Sequence, residues 1–223
     1  MSKIPIYFMP GLAASSSIFE NIKLPNNQFE LHYLEWFIPT KKETLAEYAQ
    51  KMASFVKHEN AVLIGVSFGG VLVQEMAQFL NLDKIIIISS IKSSDEMPNW
   101  MKIAKQTKAY KILPTSMLKD IEVLAKYAFG TLLKSRLVMY KKYLTMNDKV
   151  YLDWAIEQVI CWDRTKIDPK VIHIHGDTDS VFPSENIKFF IPVKNGTHAM
   201  IITKFRWFND NLPKIILEKS VCI

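Results

Sequence analysis

Ser67 stands in Gly65-Val66-Ser67-Phe68-Gly69-Gly70, directly after the apolar run Ala61 to Ile64 and before the helix-like stretch Val71 to Leu80. A serine between small residues where a strand turns into a helix is a nucleophile elbow. The turn is too tight for bulky neighbours and pushes the hydroxyl out for attack. A hydroxyl is a poor nucleophile at neutral pH, so it needs a general base within hydrogen-bond reach and a third group to orient that base. Both types occur late in the sequence. Lys170 to His175 reads as a strand that runs into His175-Gly176-Asp177-Thr178-Asp179, and Asn195-Gly196-Thr197-His198 follows. The order is nucleophile, acid, base: Ser67, Asp179, His198.

Other residues compete for these roles. Asp177 stands nearer the strand end than Asp179, and Asp95 follows the preceding strand, so three carboxylates are candidates for the acid. Asp residues also cap turns without doing chemistry. His173-Ile174-His175-Gly176-Asp177 fits the first five positions of an H-x-H-x-D-H metal motif, and strand alternation puts both histidines on one face. Thr178 stands where that motif needs its next histidine. His173 reads better as a hydrogen-bonded core residue.

The elements that must position these groups alternate. Strand signals lie at Ile4 to Met9, Glu30 to Phe37, Ala61 to Val66, Lys84 to Ser89, Lys170 to His175 and Ile191 to Val193. Helix-like stretches fill Thr44 to Lys57 and Val71 to Leu80, so a mainly parallel sheet of about six strands flanked by helices is expected. Several strands are continuous in Ile and Val, as in sheets covered on both faces. From Ser93 to Trp162 the pattern changes to helical spacing, with Met97, Trp100, Met101, Ile103, Leu118, Ile121, Leu124, Phe129, Leu132, Tyr140, Tyr143 and Trp154 as its apolar positions.

Taken together, these motifs resemble those of the α/β-hydrolase family over nearly the whole length, in the branch of serine-nucleophile esterases, lipases and thioesterases. The family's H-G-x-x-D signature matches His175 to Asp179 and assigns the orienting carboxylate to Asp179. Its G-x-H matches Gly196-Thr197-His198 and makes His198 the base. Its oxyanion loop follows the first central strand, where Pro10-Gly11-Leu12 replaces the usual His-Gly-x, so the implied oxyanion donors are the backbone N–H groups of Leu12 and Phe68. The resemblance implies a core of residues 1–92 and 165–223, a helical cap insertion at 93–164, and no antiparallel strand pair before Ile4. It implies a Ser-His-Asp hydrolase acting on acyl esters or thioesters through an acyl-enzyme, with no cofactor and no metal. A serine at position 67 argues against the family's dehalogenase and epoxide-hydrolase branches, which carry aspartate there. A slow or inactive ligand-binding protein on the same fold is the alternative.

Composition agrees with one well-buried core: 223 residues, of which 49% are hydrophobic. Met1-Ser2-Lys3 leads straight into a strand, and the longest apolar runs are too short to span a bilayer, so a soluble cytoplasmic protein without membrane insertion is expected. Cys161 and Cys222 have neither disulfide nor metal spacing. The net charge is +6, and the segment Lys92 to Arg164, with thirteen basic and eight acidic residues, supplies most of it. Lys102, Lys105, Lys108 and Lys111 recur every third residue, a spacing that predicts one solvated helix face. No nucleic-acid-binding motif is present.

Overall fold

The computed structural model describes residues 3–112 and 137–218. Six strands form one sheet: β1 Ile4–Met9, β2 Phe29–Tyr33, β3 Ala61–Val66, β4 Leu82–Ile88, β5 Val171–Gly176 and β6 Ile191–Val193. Their spatial order is β2-β1-β3-β4-β5-β6, and every neighbouring pair is parallel. All six residues of β3 are buried, as are Ile85 to Ile88 of β4. Such strands need apolar side chains on both faces, which is why they read as unbroken Ile/Val runs rather than alternating ones. Each fully buried Ile, Leu or Val contributes about 1.5–3 kcal/mol relative to exposure.

Seven α-helices accompany the sheet among the described residues: α1 Leu45–Ala53, α2 Phe68–Met76, α3 Asn99–Thr107, α4 Leu137–Tyr143, α5 Lys149–Cys161, α6 Met200–Thr203 and α7 Phe205–Leu217. α1 starts at a capping box, in which Thr44 Oγ1 accepts from Glu47 N–H and the Glu47 carboxylate accepts from Thr44 N–H. The Asp148 carboxylate caps α5 by accepting from Val150 and Tyr151 N–H. No helix among the described residues is long and apolar enough to cross a membrane.

Three expectations change. β2 ends at Tyr33 rather than Phe37: Leu34 N–H still donates to Phe8 O at 2.9 Å, and beyond it Trp36 is buried with its indole N–H donating to Gly11 O at 2.9 Å. α2 begins at Phe68 rather than Val71, so the helix starts immediately after Ser67. The lysine stripe is not one helix face, since α3 stops at Thr107 and Lys108 turns left-handed at φ 56°. Lys102 Nζ donates to Asp95 O, and Lys111 Nζ lies 3.8 Å from Glu157.

Within 93–164, α5 packs its buried face onto the sheet domain. Trp154 Nε1 donates to Glu43 O at 2.7 Å, and the Tyr151 hydroxyl accepts from Ala13 N–H at 3.3 Å. Leu118, Ile121, Leu124, Phe129 and Leu132 lie outside the described residues.

Candidate active site

The site is built at the C-terminal ends of β3, β5 and β6, beside the loop after β1. Ser67 follows β3 with φ 52° and ψ −120°, a conformation an L-residue adopts at a cost of about 1–3 kcal/mol. The surroundings hold it there. Ser67 N–H donates to Ile88 O at 2.9 Å, while Ser67 O accepts from Gly70 N–H at 2.8 Å and from the Ser90 hydroxyl at 2.7 Å. The flanking glycines answer to close approach: a Cβ on Gly65 would lie 2.3 Å from Gly69 O, and one on Gly69 would lie 2.3 Å from Pro10 O. Backbone packs on backbone here, which brings the start of α2 against the loop after β1.

Three side chains from distant parts of the sequence form one hydrogen-bonded line. Ser67 Oγ lies 2.9 Å from His198 Nε2, and His198 Nδ1 lies 2.8 and 3.0 Å from the two carboxylate oxygens of Asp179. The carboxylate accepts only, so Nδ1 carries the ring proton and Nε2 is free to accept from the serine hydroxyl. Asp179 Oδ1 also accepts from Val181 N–H at 2.9 Å and Phe182 N–H at 3.0 Å. Burial pushes the Asp179 pKa up, but the charge and hydrogen bond of His198, the nearby His175 and the Phe182 amide outweigh it. The net shift is below the ordinary carboxylate value. The β5 loop and the His198 loop are tied together, because Thr178 donates to Gly196 O from both its N–H (3.0 Å) and its hydroxyl (2.9 Å).

The other two carboxylates stand apart from His198. Asp177 and Asp95 are exposed, and Asp95 lies in the turn before α3. Leu12 lies in the loop after β1, next to Gly11, and Phe68 is the first residue of α2; neither amide has a protein acceptor in the hydrogen bonds of the described residues. Phe68 is locked by rings: it stacks on Trp36 at 5.1 Å and meets the edge of Trp154 at 5.9 Å.

His173 and His175 do not form a metal centre. Their ring nitrogens are spent on a directed chain in which His173 Nε2 donates to His175 Nδ1 at 3.1 Å and His175 Nε2 donates to Phe182 O at 2.8 Å. Burial lowers both pKa values, His173 most strongly, and so disfavours the protonated form of each ring. Lys92, which the sequence pattern did not single out, closes the far end: Nζ lies 3.4 Å from His173 Nδ1, 3.1 Å from Glu96 Oε1 and 3.2 Å from Phe189 O, and it also donates to Lys188 O. Glu96 in turn accepts from Lys92 N–H and Lys188 N–H. This buried polar chain runs from behind the Asp179 loop to the start of residues 93–164.

No protein-family model matches the sequence, and no curated protein matches it significantly. Solved structures do match. An esterase from Exiguobacterium antarcticum superimposes with a TM-score of 0.69 at 18% identity, covering 97% of this chain and 93% of the esterase. The enol-lactonase of Burkholderia xenovorans gives 0.70 at 14% identity over 98% and 93%, and a bromoperoxidase from Bacillus anthracis gives 0.69 at 17% over 97% and 93%. At such identities the likeness establishes architecture and leaves the reaction open. The all-parallel six-stranded sheet flanked by helices, superimposing along nearly its full length on these enzymes, gives this chain the α/β-hydrolase fold.

Proposed function

We propose that the chain is a serine hydrolase that cleaves carboxylic esters or thioesters. The observation that carries this reading is the line Ser67 Oγ, His198 Nε2, His198 Nδ1, Asp179, with its 2.9 and 2.8 Å contacts, on a serine held in a strained turn. In the proposed reaction His198 takes the hydroxyl proton as Ser67 Oγ adds to the substrate carbonyl carbon. Asp179 fixes the imidazole tautomer and stabilises the imidazolium. The free amides of Leu12 and Phe68 would stabilise the oxyanion of the tetrahedral intermediate. His198 then returns the proton to the departing alcohol or thiol. A water molecule, deprotonated by the same ring, attacks the acyl-enzyme, and His198 passes that proton to Ser67 Oγ as the acid is released. Neither step calls on a cofactor.

Residues 93–164 would act as the cap over Ser67. Support comes from α5, whose Trp154 and Tyr151 join Trp36 and Phe68 in one aromatic cluster next to the serine. The names of the esterase and enol-lactonase neighbours favour ester bonds as the class.

The test is a panel of esters running from acetyl to about dodecanoyl, with one thioester, assayed on wild type and Ser67→Ala. Turnover of at least one member, abolished in the variant, is expected. A wild type that binds acyl ligands but turns over none of the panel would favour the ligand-binding alternative.

A further inference from the structure

Glu30, His32 and His58 gather on the outer edge of the sheet, away from the serine. Glu30 and His32 are two apart on β2, the edge strand, so they project from the same face. His58 comes from the segment between α1 and β3. One ligand-capable atom from each of the three lies within 4.8 Å of the others. Two details set this cluster apart from an ordinary surface group. His32 Nε2 is buried and has no hydrogen-bond partner, although Glu30 Oε1 is 3.2 Å away. A ring nitrogen shut off from water and left unmatched costs stability unless something else takes its lone pair. His58, meanwhile, is held by its other nitrogen: Nδ1 is 2.7 Å from the Tyr7 hydroxyl, which also accepts from Lys57 N–H at 3.0 Å.

We propose that His32, His58 and Glu30 form a binding site for a divalent transition ion of the zinc class, separate from the hydrolytic centre. Zinc takes imidazole nitrogen at about 2.0–2.1 Å and carboxylate oxygen at about 2.0–2.2 Å in tetrahedral geometry, which sets neighbouring ligand atoms about 3.3 Å apart. The His32 to Glu30 separation, 3.2 Å, is close to that value. His58 would ligate through Nε2, because Tyr7 occupies Nδ1. A hydrogen bond from the far nitrogen of a ligating histidine orients the ring, and the Tyr7 hydroxyl can accept as readily as donate. Tyr7 also stacks on His32 at 4.5 Å with a 15° tilt, so one residue of β1 braces both imidazoles. Two imidazoles and one carboxylate leave a fourth position for water. The bound ion would pin the edge strand β2 to the segment that leads into β3.

The full-length protein, stripped with EDTA, is titrated with Zn(II) against a chromophoric chelator, and with Co(II) to read the visible spectrum of a tetrahedral ion. One tight equivalent, a higher Tm with Zn(II), and a four-coordinate Co(II) spectrum are expected. His32→Ala and His58→Ala should each lose about 100-fold or more in affinity, and Tyr7→Phe about tenfold, while all three keep the wild-type circular dichroism in EDTA. Glu30→Gln, at an exposed position, serves as a fourth variant that leaves packing untouched. Absence of tight binding, or binding that survives both His32→Ala and His58→Ala, overturns the proposal. The assay reads the ion directly and does not depend on ester turnover.

Discussion

Asp179 and His198 meet through both carboxylate oxygens, at 2.8 and 3.0 Å from one ring nitrogen, with both side chains almost fully buried. Asparagine at 179 keeps the size but offers an amide that favours the wrong imidazole tautomer. Asp179→Asn should therefore lower kcat by about four orders of magnitude with little change in folding. Asp177→Asn and Asp95→Asn, both at exposed positions, should stay close to wild type. A large loss at Asp95 with a mild one at Asp179 would assign the acid to the loop after β4.

The approach of Gly69 to Pro10 O ties the elbow to the loop that carries Leu12. Gly69→Ala places a methyl group 2.3 Å from that carbonyl, whereas Gly11→Ala meets nothing closer than 3.4 Å. Overpacking of this kind costs about 1–3 kcal/mol or more. Urea unfolding should show that loss for Gly69→Ala, together with reduced ester turnover, and a much smaller effect for Gly11→Ala. Equal stabilities would mean that the loop moves freely relative to the elbow.

His173 and His175 give stability a pH dependence with a definite sign. Burial depresses both folded-state pKa values, and neighbouring positive charge adds to the effect at His173. Below the unfolded value of about 6.5 the unfolded chain binds protons that the folded one refuses. Their contribution is therefore fully present above about pH 6.5 and is lost as pH falls below it, by up to about 1.4 kcal/mol per pH unit for each ring. The contribution of Asp179, whose folded pKa is also depressed, is lost only below the ordinary carboxylate value of about 3.9. Urea titrations between pH 7 and pH 4.5 should show falling stability in wild type and a shallower fall in His173→Gln. Identical slopes would contradict neutral buried rings.

Lys92 and Glu96 are buried partners, with side chains 5% and 4% exposed. Removing only the cation strands a carboxylate in the interior, which costs about 3–5 kcal/mol. Lys92→Met should lose that much in urea unfolding, and Lys92→Met with Glu96→Gln should recover part of it. A double variant no better than the single one would show that the carbonyl contacts of Lys92, rather than its charge pairing, hold the segment.

Much of the architecture was legible in local patterns. The unbroken apolar runs of β3 and β4 mark strands buried on both faces, and the Gly65 to Gly70 turn marks the junction at which Ser67 sits. The proximity of Asp179 and His198 to Ser67 was accessible only through resemblance, because hydrogen bonds spanning 19 and 131 positions leave no mark in periodicity. The end of β2 was misread for a physical reason: Leu34 and Trp36 are apolar and suit strands, and both are buried, yet only the Leu34 N–H still bonds β1, through Phe8 O, while Trp36 is held by its indole N–H on Gly11 O. The lysine spacing misled in the same way, since a three-residue repeat does not reveal the left-handed turn at Lys108. Lys92 and Glu96 look like ordinary surface charges in the sequence. Their burial depends on the carbonyls of Lys188 and Phe189, far along the chain.

The central claim is that Ser67 is the nucleophile, and a fluorophosphonate probe tests it most directly. Attack by Ser67 Oγ on phosphorus expels fluoride and leaves a stable adduct, which intact-mass and peptide mass spectrometry locate. One probe per chain on the peptide containing Ser67 is predicted, with no labelling of Ser67→Ala and a loss of about four to six orders of magnitude in its ester turnover. Labelling that persists in Ser67→Ala, or turnover that is unchanged in it, would contradict the account.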